Sequence, residues 1–391
     1  MEGNEEKANA MRHVSQLLFA TVLAAFGLPG SGTQAAETGV TGDTITLGQS
    51  CPLTGPAQEL GTEMRLGALA YFSQINQAGG INGRQIKLTT LDDGYEPDRA
   101  AANTKKLIND DKVFALFGYV GTPTANASLP IFTEAKVPFF GAFTGAESLR
   151  NPFNRYIFNV RASYFDETEK IVEQLTSLGV SNIAVFYQND AYGQAGLTGV
   201  TRALTRRNMK IAGTATVERN TVAVDAAVKA LVPQRPDAIV MISAYKSIAA
   251  FVRASKKAGY TGQYHNVSFV GSRALAEELG AEGYGVAVSQ VVPFPFSSST
   301  PVVRDYLLAL KASGSAQPSF TSLEGYIAAR VFVEGLKRAG KDLTRDKFIG
   351  ALESMSNTEI GGFNVNFSPK SHNGSSFVDL TMIGRNKAFV R

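Results

Sequence analysis

Apolar and polar residues recur along the chain with two different periods. Leu66, Leu69, Ala70 and Ile75 have helical spacing and fall on one face of a helix. Short uninterrupted apolar runs, typical of strands that are buried on both faces, separate such segments. In the first part of the chain this pattern predicts strands at 44–48, from 85, at 113–117 and at 137–140, and helices at 62–77, 97–109 and 122–134.

The same alternation restarts in the second part of the chain. It predicts helices at 167–178, 193–207 and 247–258, strands at 182–187 and 236–242, and additions to the sheets at 362–367 and 378–383. Strands that alternate with helices favour parallel sheets covered on both faces. We therefore expect an α/β fold made of two doubly wound, Rossmann-like lobes.

The N-terminus has the pattern of an export signal. Basic residues around Arg12 precede an apolar run at 14–28, and small residues follow up to Ala35. A basic start, a short apolar core and a small-residue cleavage site are typical of a secretory signal peptide, which we predict at 1–35. A membrane anchor is the alternative, but the run is shorter than the roughly 20 residues that span a bilayer.

Composition narrows the possible functions. The 391 residues include one Cys and three His and carry a formal net charge of +4. These counts exclude a disulfide framework and most His-built metal centres, so we expect no metal and no cofactor. The small, scattered charge does not favour nucleic acid. No phosphate loop, nucleophile elbow or HExxH pair occurs, and Cys51 has no histidine nearby in the sequence, so we expect a protein that is not an enzyme.

Glycine and threonine residues follow two of the predicted strands. Thr122 fits a helix N-cap with Pro123 at the first helical position, and Thr144 with Glu147 fits a capping box. Capping alone explains these threonines. Ligands of open α/β sheets bind at the carboxyl ends of strands, however, so two such loops also indicate an anion site. Tyr192 follows another strand and is either a surface aromatic or a residue that closes over the ligand.

Six segments together make the chain resemble the leucine/isoleucine/valine-binding proteins, the type I periplasmic solute-binding proteins of branched-chain amino acid ABC transporters. These segments are 53–56, 67–83, 91–93, 118–124, 182–187 and 191–193. The resemblance implies two lobes joined by three crossovers, expected near 162–165, 290–293 and 367–370. Lobe 1 is then 43–162 plus 293–367, and lobe 2 is 163–292 plus 368–391.

The resemblance also implies a function. A small-molecule ligand is held between the two lobes, which close by a hinge motion. The protein then acts as a periplasmic monomer that delivers its ligand to an inner-membrane permease with ATPase subunits, and the chain itself performs no catalysis. A ligand sensor of the same fold and a secreted hydrolase are the rival classes, and the second lacks an activated nucleophile.

The ligand site of the family carries over in part. Its carboxylate-binding hydroxyl falls on Thr122, and a second hydroxyl donor falls on Gly145, where the neighbouring Thr144 can substitute. The aromatic positions of the family fall on Tyr192, near Tyr245 and, in lobe 1, on Leu60. Independently of the resemblance, Phe143 follows a predicted strand, which makes it either an apolar wall of the site or a core residue.

One departure from the family concerns the charge of the ligand. The acid that pairs with an α-ammonium falls near Ser268, and a buried ammonium without such an acid costs several kcal/mol unless hydrogen bonds replace it. A hydrophobic amino acid is the family default, and an aromatic or aliphatic carboxylate or an amide is the alternative. We expect Arg161, near the first crossover, to be structural, because hinge-flanking charges often pair across lobes.

Overall fold

The computed structural model describes residues 37–314 and 317–391, and the segment from Glu37 to Arg391 forms one unit. The predicted signal peptide at 1–35 lies outside the described residues. The described part is a mixed α/β structure with parallel sheets and covering helices, as the alternating pattern predicts. None of its helices is both long and apolar enough to span a membrane.

A five-stranded sheet is formed by the first part of the chain. Its strands are β1 (Thr44–Cys51), β2 (Gln85–Asp92), β3 (Ala115–Phe117), β4 (Phe139–Phe140) and β5 (Ile157–Phe158). The spatial order is β2-β1-β3-β4-β5, and all neighbours are parallel. The carboxyl ends of these strands therefore lie at one edge of the sheet.

A seven-stranded sheet follows. Its strands are β6 (Ile183–Gln188), β7 (Thr214–Val217), β8 (Ala238–Ile242), β9 (Gln263–Asn266), β10 (Ala287–Gln290), β13 (Asp379–Ile383) and β14 (Phe389–Val390). The order is β14-β13-β10-β9-β8-β6-β7, and β13 pairs antiparallel with both of its neighbours. The predicted strand at 378–383 is thus confirmed as a sheet addition.

The predicted addition at 362–367 is wrong. β11 (Thr358–Glu359) and β12 (Asn364–Val365) pair only with each other, in a separate two-stranded sheet. Gly361 and Gly362 both have positive φ angles, 64° and 90°, which turn the chain back on itself. The apolar residues of this segment therefore belong to a short hairpin.

The described residues contain eleven α-helices. They are α1 (Gln58–Gln77), α2 (Pro97–Asn109), α3 (Thr122–Glu134), α4 (Tyr164–Ser177), α5 (Ala191–Thr205), α6 (Asp225–Leu231), α7 (Tyr245–Lys257), α8 (Ser272–Leu279), α9 (Pro301–Ala312), α10 (Phe320–Ala339) and α11 (Arg345–Glu353). α10 packs most extensively on α1, and α4 packs on α5. Backbone contact between α1 and α10 requires glycine at Gly67 and Gly325.

The chain passes between the two sheets three times. It does so between β5 and β6, after β10, and before β13. Near the third passage, Asn159 beside β5 still exchanges backbone hydrogen bonds with His372 and Gly374. This pairing favours a third crossover a few residues beyond the predicted 367–370. The lobe boundaries themselves stay a prediction.

His265 on β9 makes stability depend on pH. Its ring is buried, Nε2 lies 3.1 Å from Gln263 Oε1, and burial lowers its pKa to about 4. The native ring stays neutral while the unfolded chain takes up a proton near pH 6.5, so stability falls as the pH drops towards 4. His265→Gln should lose less stability than the wild type between pH 7 and 5, by about 2 kcal/mol. Urea unfolding at both pH values tests this, and equal losses in the two proteins would contradict it.

Candidate functional site

Helix α3 spans the predicted 122–134, but its N-cap differs by one residue from the prediction. Gly121, with φ 102°, is the N-cap, and Thr122 is the first helical residue rather than the cap. Only a glycine adopts this backbone conformation without strain. Thr124 instead bonds back to the Val120 carbonyl at 2.5 Å and to the Gly121 carbonyl at 3.0 Å. The Thr122 hydroxyl therefore does not cap the helix. It lies 2.7 Å from Thr144 Oγ1.

The predicted capping box at Thr144 is wrong. Glu147–Leu149 is a single 3₁₀ turn, and it begins after Ala146 without a side-chain cap. The Thr144 hydroxyl accepts a bond from Ala146 N and donates one to Tyr164 Oη, each at 3.3 Å. Since both Thr122 and Thr144 are buried, the structure brings together the two hydroxyls that the strand-end argument singled out.

Gly145 contributes its backbone only. Its carbonyl accepts the Tyr164 N–H at 2.7 Å, and a Cβ at this position would lie 2.7 Å from the same nitrogen. A hydroxyl-bearing side chain therefore does not fit here. The hydroxyl that the family resemblance assigns to this region is supplied by Thr144, one residue earlier.

Five aromatic side chains pack together, and one of them, Tyr164, is hydrogen-bonded to the Thr144 hydroxyl. We call them the aromatic cluster: Tyr95, Phe143, Tyr164, Tyr192 and Phe269. The Phe269 ring centroid lies 5.9 Å from that of Tyr95, 5.1 Å from Phe143 and 4.6 Å from Tyr192, and the centroids of Tyr164 and Tyr192 are 5.4 Å apart.

The aromatic cluster joins the carboxyl ends of both sheets. Tyr95 and Phe143 follow strands β2 and β4 of the five-stranded sheet. Tyr192 and Phe269 follow strands β6 and β9 of the seven-stranded sheet. Parallel α/β sheets present their ligand sites at these strand ends. The cluster therefore occupies the place where a ligand held between the two sheets is expected.

Arg161 borders the aromatic cluster and is itself buried. Its guanidinium carbon lies 5.3 Å from the Phe143 ring centroid and 5.7 Å from that of Tyr164. Arg161 forms ion pairs with Glu167 at 2.6 Å and with Glu324 at 3.4 Å. Glu167 lies on α4 and Glu324 on α10. Arg161 therefore pairs with acids from two helices that are far apart in the sequence, as expected for a structural arginine.

Ser268 is bound to Glu167. Its backbone N–H donates to Glu167 Oε2 at 2.7 Å, its hydroxyl donates to Oε1 at 3.1 Å, and it also accepts a bond from Arg161. Ser289 completes the set with a bond of 2.6 Å to Oε2. An acid, Glu167, is thus present close to Ser268, but it already accepts hydrogen bonds from Arg161, Ser268 and Ser289.

Leu60 and Tyr245 meet at Gly271, two residues beyond Phe269. A Cβ on Gly271 would lie 2.5 Å from Leu60 Cδ2 and 3.8 Å from Tyr245 Cδ1. Both side chains are buried, and they join α1 to the segment before α8. The structure therefore places these two predicted site residues beside the aromatic cluster, at a contact between elements of the two sheets.

Several buried polar atoms near the aromatic cluster have no hydrogen-bond partner among residues 37–314 and 317–391. Arg161 Nε, Gln188 Oε1 and Tyr192 Oη are among them. Gln188 Nε2 donates to Tyr95 Oη at 3.2 Å and to Asp190 at 2.5 Å, which fixes the orientation of its amide. Buried polar groups are normally paired, so unpaired ones at a strand-end site point to a ligand.

Polar contacts link the two sheets around the site. Arg219 pairs with Glu96 at 2.8 Å, and Asn220 donates to Glu96 Oε1 at 2.7 Å and to the Gly94 carbonyl at 3.1 Å. On another side, Arg273 of α8 forms an ion pair with the buried Glu63 of α1. These contacts join loops and helices that are connected to the two different sheets.

Several residues of this candidate site are not identified from the sequence. Tyr95 and Phe269 follow strand ends by three residues, as Phe143 does, so the same strand-end rule could have found them once β9 was recognised. Tyr164 and Glu167 lie in the first turn of α4, where an acid favours the helix start without indicating any ion pair. Their partners are distant in sequence, and only the tertiary fold identifies them.

A family model of periplasmic binding proteins matches residues 44–387, and the chain belongs to that family. A leucine-, isoleucine-, valine-, threonine- and alanine-binding protein of Pseudomonas aeruginosa is 25% identical over 340 residues, which cover 84% of this chain and 85% of the relative. These relatives are binding proteins rather than enzymes.

Solved structures show the same fold. A possible leucine/isoleucine/valine-binding protein from Rhodopirellula baltica is 35% identical with a TM-score of 0.86, covering 91% of this chain and 98% of that one. A fatty acid ABC transporter substrate-binding protein from Thermomonospora curvata is 22% identical with a TM-score of 0.83, covering 91% and 92%. The second likeness concerns the fold alone. The chain therefore has the type I periplasmic binding protein fold.

Proposed function

We propose that this protein is the exported substrate-binding component of an ABC transporter and that it captures a small, partly apolar carboxylate between two lobes. The observation that carries the proposal is the pair of buried hydroxyls, Thr122 and Thr144, at the start of α3 and beside an aromatic cluster built from both sheets. Membership of the periplasmic binding protein family supports the same proposal.

The proposed capture uses each part of the site in turn. The Thr122 and Thr144 hydroxyls, with the free N–H groups at the start of α3, hold the carboxylate. The rings of Phe143 and Phe269 cover the apolar part of the ligand. Tyr192 closes from the seven-stranded sheet, and the polar contacts around the site stabilise the closed state. The loaded protein then delivers its ligand to an inner-membrane permease with ATPase subunits.

Replacing Thr122 with valine tests the carboxylate end of the site. The change keeps the shape of the side chain but removes a donor, so it should weaken carboxylate binding by about 1–3 kcal/mol. Titration calorimetry measures the effect. Thr198→Val is the matched control, because Thr198 is exposed on α5 and its hydroxyl bonds, within the described part of the chain, only to the Gln194 carbonyl at 2.8 Å. Equal affinities in wild type and Thr122→Val would remove Thr122 from the site.

A further inference from the structure

Two of the acids near the aromatic cluster, Glu167 and Asp190, have no room for another donor. Glu167 accepts four hydrogen bonds, two on each oxygen, from Arg161, the Ser268 backbone, the Ser268 hydroxyl and Ser289. A carboxylate has about four lone-pair sites, so the capacity of Glu167 is used in full. An ammonium group could reach it only by displacing a bond that is already made.

Asp190 beside Tyr192 is engaged in the same way. Its Oδ1 caps α5 by accepting the N–H groups of Tyr192 and Gly193, at 3.0 and 3.4 Å. Its Oδ2 accepts from Gln188 and from Arg219, at 2.5 and 3.4 Å. The carboxylate therefore serves the helix start and the contact between the sheets, and it is not available to a ligand.

Glu324 is the third acid of this region. It makes one ion pair, 3.4 Å long, with Arg161, and burial raises its pKa to about 7. The charge of Glu324 already faces Arg161, which pairs with Glu167 as well. The buried side-chain oxygens near the cluster that have no partner among the described residues, Gln188 Oε1 and Asn220 Oδ1, are uncharged.

Donors, by contrast, remain available. Arg161 Nε and Tyr192 Oη are buried without a partner among the described residues. Burial raises the pKa of Tyr192 well above its ordinary value, so its hydroxyl keeps its proton. The site thus offers unpartnered donors for an anion, and each of its three acids already faces an arginine.

We infer that the ligand is a small apolar carboxylate without an ammonium group, and that Arg161 sets this selectivity by occupying Glu167 and by directing its Nε–H to the ligand. The inference rests on the proposed function and specifies its ligand class. A zwitterionic amino acid would bury an ammonium with no free acid to pair with it, which carries a large desolvation cost.

Calorimetry on the wild-type protein tests the ligand class with matched pairs. The pairs are 4-methylpentanoate against leucine and 3-phenylpropanoate against phenylalanine, and within each pair the two compounds differ only by the ammonium group. At least one carboxylate should bind more tightly than its amino acid by on the order of 100-fold. Any co-purified ligand is first removed by dialysis against mild denaturant.

The outcomes separate the inference from the proposed function. An amino acid that binds as tightly as its carboxylate partner, or more tightly, overturns the inference and leaves the proposed function standing. If no member of the pairs binds, or if only the uncharged amide 4-methylpentanamide does, both the inference and the carboxylate-binding function fail.

Two variants test the role of Arg161 and of the donor beside it. Arg161→Lys keeps the positive charge against Glu167 and Glu324 but loses Nε–H, so the carboxylate-to-amino-acid affinity ratio should fall about ten-fold. Tyr192→Phe removes a hydroxyl that has no partner among the described residues, so it should preserve folding and also lower carboxylate affinity. A ratio unchanged in Arg161→Lys would exclude Arg161 as the specificity residue. An unchanged carboxylate affinity in Tyr192→Phe would exclude the donor set on which the inference stands.

Discussion

Arg161→Met is expected to lower the free energy of unfolding by about 3–5 kcal/mol, because it leaves two buried acids without their cation. Glu167 and Glu324 are both buried, and Arg161 lies 2.6 and 3.4 Å from them. An uncompensated charge in such a place is far more costly than a lost surface ion pair. Guanidinium unfolding of the two proteins measures the difference.

Two further variants distinguish this explanation from a loss of stability that would follow the removal of any arginine. Arg161→Met combined with Glu167→Gln should recover much of the loss, because the more closely paired acid is then neutral. Arg99→Met removes the partner of Asp92 in a pair whose arginine is 51% exposed, and it should cost at most about 1 kcal/mol. If the double variant were less stable than the single one, uncompensated charge would not be the cause.

Gly67→Ala is expected to destabilise the protein by about 3 kcal/mol or more, because α1 and α10 meet there through their backbones. A Cβ on Gly67 would lie 1.7 Å from the Ser322 carbonyl oxygen, and one on Gly325 would lie 2.1 Å from the Met64 carbonyl oxygen. No side-chain rotation relieves a clash with backbone, so the two helices would have to separate. Thermal unfolding measures the loss.

Gly350→Ala is the matched control for this prediction. Gly350 also lies inside a helix, α11, but it is exposed and a Cβ there would meet nothing within 4 Å. Alanine should therefore stabilise this helix by about 0.5–1 kcal/mol. If Gly67→Ala were tolerated as well as Gly350→Ala, the close approach of α1 and α10 would be wrong.

Local sequence signals predicted the first part of the fold well. Helices α2 and α3 begin and end where the pattern places them, because a proline in the first turn marks the start of each. α10 gave no such signal. It is buried along most of its length, from Phe320 to Leu336, so apolar and small residues occupy all of its faces and no helical stripe stands out. β9 was missed because its residues, Gln263 to Asn266, are mostly polar.

The site was predictable where strand ends could be recognised. Thr122, Phe143, Thr144 and Tyr192 all follow predicted strands, and the structure brings them together in one buried region. The details of hydrogen bonding were not predictable. The positive φ angle of Gly121 makes this residue, rather than Thr122, the N-cap of α3, and sequence alone does not show which residue adopts that conformation.

The charge balance of the site could not be obtained from the sequence. Ser268 suggests only that an acid is missing at that position. The structure adds that Glu167, 101 positions away, reaches Ser268 and is already paired with Arg161. This arrangement depends on α4, β9 and β10 meeting at one point, and such a meeting is a property of the tertiary fold rather than of any local pattern.

The most direct test of ligand capture at the strand ends is a thermal-shift screen of wild type and Thr122→Val against small carboxylates, amino acids and amides. A ligand in excess over its dissociation constant stabilises the folded state by a few kcal/mol and moves the unfolding midpoint by several degrees. If ligands bind at the strand ends, we expect such a shift with at least one small carboxylate in the wild type and a clearly smaller shift in Thr122→Val. Equal shifts in both proteins, or shifts only with ligands that lack a carboxylate, would contradict it.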